Sequence, residues 1–256
     1  MNKIYEINYG NKHTVPMAQY ENQSPMFNIK VIIEGAERIH LGKELKKIAK
    51  IVDMELHEKV RLIKQEQLVK ALKHLRFYEK NGKQYPSVTS IINPEPYLAD
   101  PLYGERGDLL HELFASNQYD YEFTPDEEVK YASIGGIRQY TLKWIKEDTD
   151  IEFDKSEVEV FHDKEMYAGR YDRDGLYKGK VAIYDLKTGV LNKAGQEKAF
   201  MQLSAYAKAT GLNVENLVIL PCGPKVKNLP IVSTDVEKYF SMFIEKRIAF
   251  KERFGI

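Results

Sequence analysis

Two acids and a lysine gather in the stretch from Ala168 to Gly189, AGRYDRDGLYKGKVAIYDLKTG. Asp172 precedes Asp185 by thirteen residues, and Lys187 follows two residues later. The surrounding residues read as a buried β-hairpin, where a charge is costly unless it is paired or holds a metal. Two carboxylates brought together repel each other, and a divalent cation relieves that repulsion. Ligation by oxygen alone suits Mg2+ or Mn2+ rather than zinc. A neighbouring lysine then holds a scissile phosphate or supports an attacking water. Metal, acids and lysine together make a kit for phosphodiester hydrolysis. The acid-x-Lys spacing is not specific by itself, because Glu44-Leu45-Lys46 and Glu128-Val129-Lys130 share it. Those two fall in expected helices with no partner acid on an adjacent strand. The competing reading of Asp185 and Lys187 is a structural salt bridge at a sheet end.

The elements that must position these residues are legible from periodicity. SEVEVF, AGRYDRDGLY and KVAIYDLKTG read as three strands, the last two joined by a tight turn at Lys178-Gly179. Strand alternation puts Asp185 and Lys187 on one face, with Ala182, Tyr184 and Leu186 on the other. A helix is expected from about Gln196 to Thr210, ending at Gly211, with NLVILPC as a buried strand after it. Thr234 is the expected N-cap of a last helix carrying Val236, Phe240, Phe243, Ile244 and Phe250. Upstream, PSVTSII reads as extended or turn, ERGDLLHELFAS as an amphipathic helix, and residues 126–147 as a further helix weakened by Gly135-Gly136. IYEINY and FNIKVIIEG read as strands. Residues 42–76 carry a helical apolar pattern that Asn81-Gly82 breaks. The expected architecture is α/β, with a central mixed sheet flanked by helices. It divides into an amino-terminal β/α extension over residues 1–80 and a main domain over 81–256.

Bulk composition excludes some classes. The 256 residues carry 38 basic and 38 acidic side chains, so net charge points neither toward nor away from nucleic acid. Charge is uneven, however: Lys43–Lys83 holds twelve Lys/Arg against six Asp/Glu, and Glu147–Glu165 nine acids against two lysines. A single cysteine, Cys222, excludes an internal disulfide framework and a four-cysteine metal or iron–sulfur site. The start, MNKIYEINYGNKH, lacks the apolar core of a signal peptide, and no apolar run approaches a membrane span. A cytoplasmic protein is expected (host cytoplasm if phage-encoded), with no membrane partner.

GRYD followed by YDLKTG, and then a helix containing QLSAY, resembles the RecB-like branch of the PD-(D/E)XK nuclease superfamily. Phage exonucleases belong to the wider superfamily, and within it the chain resembles the mitochondrial genome maintenance exonuclease more closely. The family pattern of Gly-x-x-Asp, Asp/Glu-x-Lys and Gln-x-x-x-Tyr is matched by Gly169 with Asp172, Asp185 with Lys187, and Gln202 with Tyr206. PSVTSII and RGDLLHELF resemble the segments that precede this core, and the likeness spans roughly residues 85–221. It implies a restriction-endonuclease-like core. It also implies metal ligation by His111, Asp172, Asp185 and the main-chain carbonyl of Leu186, with Lys187 activating or positioning water. Gln202 and Tyr206, at i and i+4 on one helix face, would touch the lysine, the water or the DNA backbone. Glu157 matches an acid that often precedes the Gly-x-x-Asp strand and ranks below Asp172. Bland readings compete at several positions: a hydrogen-bonded helix histidine for His111, a solvated glutamine beside a core tyrosine for Gln202 and Tyr206, and a solvated acid for Glu157 or Glu159. His162-Asp163 is read as surface loop.

The expectation is a Mg2+/Mn2+-dependent DNA nuclease, exonuclease favoured, in phage-type replication, recombination or repair. No Gly-x-x-x-x-Gly-Lys-Ser/Thr occurs, so helicase activity would have to come from a partner. The alternatives are a catalytically silent nuclease fold that binds DNA or protein, an enzyme active only with a helicase, recombinase or single-strand-binding partner, and a structure-specific endonuclease.

Overall fold

The computed structural model describes residues 3–9, 27–33, 50, 54, 57–58, 73–96, 98–189 and 191–256. The chain separates into two units, Met1–Gln67 and Leu68–Ile256. In the first, β1 (Lys3–Tyr9) and β2 (Phe27–Ile33) pair antiparallel, from Lys3↔Ile33 to Tyr9↔Phe27. Both strands fall where alternation and β-branching predict them. Most of the helix expected over 42–76 lies outside the described residues, although Lys50, Met54, His57 and Glu58 are helical.

The second unit opens with β3 (Phe77–Lys80) and β4 (Lys83–Pro86), paired through Lys80↔Lys83. Asn81 and Gly82, read from sequence as a helix breaker, are the hairpin turn instead. Both have positive φ, as a type I′ turn requires. Phe77–Lys80 therefore belongs to the second unit and not to the amino-terminal extension. PSVTSII is not extended: α1 (Val88–Ile92) starts at Ser87, whose side chain accepts from the Ser90 N–H. Asp100 caps α2 (Pro101–Ala115), which has Pro at its first turn. The single helix expected over 126–147 is instead α3 (Pro125–Tyr131) with a full capping box, a 3-10 turn (Ala132–Ile134), and α4 (Lys143–Glu147). Gly135 and Gly136, both at positive φ, end its first part.

The centre is a five-stranded mixed sheet in the order β5 (Ile151–His162), β6 (Tyr167–Tyr177), β7 (Lys180–Thr188), β8 (Asn216–Cys222), β9 (Ile231–Ser233). Only β7 and β8 pair in parallel, so α5 (Lys193–Thr210) forms the crossover between them. The β6–β7 turn is Lys178-Gly179, again with both φ positive, as expected. Asp235, not Thr234, precedes α6 (Val236–Phe254), and it makes no side-chain cap bond.

Helices cover both faces of the sheet. One face packs Val160, Tyr171, Ile183, Leu217 and Ile219 against α1, α5 and α6. The other packs Ala182, Tyr184, Leu186, Val218 and Leu220 against α2, α3 and α4. Strand β7 thus alternates as the sequence predicts, with Asp185 on the Ile183 face that looks toward α5. Each fully buried large side chain contributes roughly 1.5–3 kcal/mol, so the two apolar layers clamp any polar group set between them. Among the described residues no helix is long and apolar enough to cross a membrane.

Candidate active site

The site forms where two ladders break at one residue. Tyr167 and Tyr171 on β6 belong to the α5-facing core, yet Arg173 stacks on Phe114 of α2 and Tyr177 packs on the α2 side. The strand changes face between Tyr171 and Arg173, and the residue at that crossing is Asp172. On one side, Ser156↔Arg173 and Val158↔Tyr171 bracket Asp172 opposite Glu157, without a ladder pair between those two. On the other, the β6–β7 register runs to Arg173↔Tyr184, one step short of Asp172 against Asp185. The freed Leu186 N–H is taken up by the Asp172 carboxylate, which accepts from it at 2.7 Å.

Glu157 reaches the same place through a second irregularity. The β5 register shifts between Phe153 and Ser156, and Glu157 has φ +55, an uncommon value for a residue with a side chain. A bulge of this kind re-aims a side chain, and such strain gathers at functional sites. From α2, His111 brings Nδ1 to 3.2 Å of Asp172 Oδ2. One ligand atom each from His111, Glu157 and Asp172 lie within 4.8 Å of one another. Glu157 Oε2 is meanwhile held by Arg170 Nε at 2.7 Å.

Asp185 and Lys187 stand beside this cluster and are joined to α5. Lys187 Nζ donates to Asp185 Oδ1 at 3.0 Å and to Gln202 Oε1 at 3.2 Å. Gln202 Nε2 in turn donates to the Tyr206 hydroxyl at 3.1 Å. Asp185 Oδ2 is buried and lies 2.7 Å from Lys187 Nζ, but the angles make no hydrogen bond. The cation facing this buried carboxylate is therefore Lys187 itself. Gly169 explains how Tyr206 fits so deep: a Cβ there would stand 2.3 Å from Tyr206 Cε1. The Gly-x-x-Asp spacing thus joins a seat for Tyr206 to a ligand three residues on.

The electrostatics are those of several charges confined together. Burial pushes the Asp185 carboxyl up to about 6; Lys187 opposes the rise and the charge of Asp172 adds to it. Burial acts the same way on Asp172, but His111 and the Leu186 N–H outweigh it and hold its carboxyl below the ordinary range. Burial alone would lower His111, and the adjacent Asp172 raises it instead. Burial also raises Glu157, with Arg170 pulling the other way and Asp172 pushing further up. Four titratable groups with opposed shifts confined together make this junction a candidate functional site.

Of the eight residues singled out from sequence, all are at this junction, with two roles redistributed. Glu157, ranked below Asp172, is a full member of the cation-ready cluster, whereas Asp185 is outside that set and engaged by Lys187. Leu186 enters through its N–H. Sequence reasoning did not single out Arg170 or Gly169 as a steric seat. His162, read from sequence as surface loop, is instead the last residue of β5, half-buried and stacked on Tyr167 at 4.9 Å, while the exposed Asp163 binds Tyr85 and Lys80.

No family model matches the chain, and no curated protein matches it. A solved structure titled "Crystal structure of SSO0001" is 16% identical, covering 75% of this chain and 86% of that one with a TM-score of 0.32. A likeness that distant carries no argument about function.

Proposed function

We propose that the protein is a divalent-metal-dependent DNA nuclease, with exonucleolytic cleavage of linear DNA favoured. The reading rests on one observation above the others: His111, Glu157 and Asp172 converge from three elements beside the Asp185–Lys187–Gln202–Tyr206 chain. His111, Glu157 and Asp172 would hold the ion, with the Asp185 carboxylate alongside. A donor set of oxygens and one imidazole suits Mn2+ and admits Mg2+. When bound, the ion supplies Lewis-acid stabilisation of charge developing on a phosphoryl oxygen.

The chain's own groups do the rest. Lys187 is fixed from two sides, by Asp185 and by Gln202, so its ammonium is aimed before substrate arrives. Asp185 and the charge of Asp172 keep it protonated against burial. It therefore acts as a fixed cation, positioning an attacking water or a phosphate oxygen. Gln202 is itself oriented by Tyr206, whose hydroxyl burial keeps in its protonated form. Asp172 receives the Leu186 N–H, and so stays ionised and rigid.

The test is cleavage of end-labelled single- and double-stranded linear DNA and of a closed circle, in Mg2+ or Mn2+, by wild type and Lys187→Ala. Loss of linear DNA by wild type alone, with the circle spared, supports an exonuclease. Cutting of the circle moves the reading to an endonuclease. Equal cleavage by Lys187→Ala contradicts the role of the lysine.

A further inference from the structure

Beside the cluster, on the β3 side of β6, the structure holds a second set of groups that the proposed reaction does not use. Arg76, just before β3, is exposed, and its guanidinium lies over the Tyr78 ring at 4.9 Å. Its backbone is fixed twice: its N–H donates to Ser90 Oγ at 2.8 Å, and its carbonyl accepts from the Ser87 N–H at 2.8 Å. Tyr78 is half-buried and packs edge-on against Phe161 of β5 at 6.2 Å. Arg170, also exposed, reaches across to Glu157 at 2.7 Å. The charges of both arginines are felt at the Tyr78 hydroxyl and at Glu157. Among the described residues no carboxylate lies within ion-pair distance of Arg76.

We propose that Arg76, backed by the Tyr78 ring and flanked by Arg170, is an anchor for a nucleic-acid phosphodiester next to the metal cluster. An acidic site repels a polyanion unless cations flank it, and Arg76 is a flanking cation that, among the described residues, has no carboxylate in ion-pair distance. Stacking on an aromatic face holds a guanidinium flat and leaves its edge donors free for phosphate oxygens. The anchored backbone gives that stack a fixed origin. Arg170 is shared with Glu157, so the part of the anchor that binds substrate alone is Arg76. This inference rests on the nuclease reading for the identity of the strand, while the anchor is measurable without cleavage.

The experiment is fluorescence anisotropy of a labelled single-stranded oligonucleotide and its duplex in EDTA, over a series of salt concentrations. Full-length wild type, Arg76→Gln and Tyr78→Leu are compared with Lys251→Gln, an exposed charge change on α6, after matching their melting curves. The expected result is a Kd raised about 3–10-fold by Arg76→Gln, a smaller rise for Tyr78→Leu, and no more than about 2-fold for Lys251→Gln. The salt slope of Arg76→Gln should be shallower by about 1, as for one lost phosphate contact. An unchanged Kd and slope in Arg76→Gln, an equal loss in Lys251→Gln, or no binding by wild type each overturns the anchor. Adding Mn2+ to the same samples separates the two claims. DNA bound through Arg76 but never cut leaves the anchor and removes the nuclease; DNA cut with the same KM and salt slope by both proteins does the reverse.

Discussion

A single carboxylate, Asp172, is the residue on which the candidate site converges. It accepts from Leu186, faces His111, and lies on β6 where the ladders to β5 and β7 leave it unpaired, between the strands that carry Glu157 and Asp185. Its neighbours' shifts fix the sign of a pH effect. A cation must displace any proton on His111, and Asp172 raises that proton's affinity, so metal binding strengthens as pH rises through and above the ordinary histidine range. Ionisation of Asp185 near about 6 adds to the same trend. Without metal the signs reverse. A raised folded-state pKa on both groups means their stabilisation is present at low pH and is lost as pH climbs from the ordinary carboxylate range to about 6 for Asp185, and from the ordinary histidine range to the raised value for His111. The melting temperature gained from Mn2+ should therefore be larger at pH 8 than at pH 5.5, and an equal or larger gain at pH 5.5 contradicts the ligand assignment. Gly169→Ala tests the seat of Tyr206. The added methyl meets a ring that cannot withdraw without releasing Gln202, so a cost of about 1–3 kcal/mol in urea unfolding is expected, with loss of cleavage beyond it. The two acids and the lysine were legible as a candidate set from strand alternation and charge chemistry, whereas the Gln-x-x-x-Tyr pair was singled out only through the family resemblance, its i, i+4 spacing placing both on one helix face. The weight of Glu157 was not, because a bulge overrides the alternation on which its ranking depended.

At the scale of elements, α2 must hold His111 against a sheet, and Arg173 is what pins it. This side chain, 4% exposed, donates Nη2 to the carbonyls of Phe114 and Ala115 and to Asn117 Oδ1. Its guanidinium lies 5.0 Å from the Phe114 ring and 4.8 Å from that of Phe153. The last carbonyls of α2 thus receive a buried cation where a helix carries partial negative charge. Arg173→Met strands those carbonyls, and a loss of about 3 kcal/mol is expected. Arg253→Met, which breaks an exposed pair with Glu95, should cost under about 1 kcal/mol. Similar losses in the two, read from denaturant midpoints, would contradict the pinning role. Sequence gave no sign of this, because a lone arginine in a strand carries no periodic signal. The strands around it and the Lys178-Gly179 turn were readable, since alternation and a turn that demands positive φ are local. Asn81-Gly82 shows the limit: the same dipeptide chemistry serves a helix end or a hairpin, and only the partner strand decides.

On the scale of the second unit, two apolar cores sandwich one sheet, and the site lies where strand β6 passes from one to the other. A sheet that simply alternated would put Asp172 wholly within one core, within reach of only one of the two helix layers. The crossing lets His111 from one helix layer and Gln202 from the other meet one row of acids. The α/β class and the run of elements followed from the sequence. The break between units at Gln67 and Leu68, and the short strand β9, did not, since both depend on contacts distant in the chain.

The most direct test of the account is calorimetric titration of Mn2+ into the full-length protein at pH 8, comparing wild type with Asp172→Asn, Glu157→Gln and Lys187→Ala. Wild type and Lys187→Ala should each take up about one ion or more per chain, because the lysine works beside the cation and does not hold it. Asp172→Asn and Glu157→Gln should lose affinity by about 10-fold or more while keeping their fold by circular dichroism. A wild type that binds no ion, or an Asp172→Asn that binds as tightly as wild type, would contradict the claim that this junction is a metal centre.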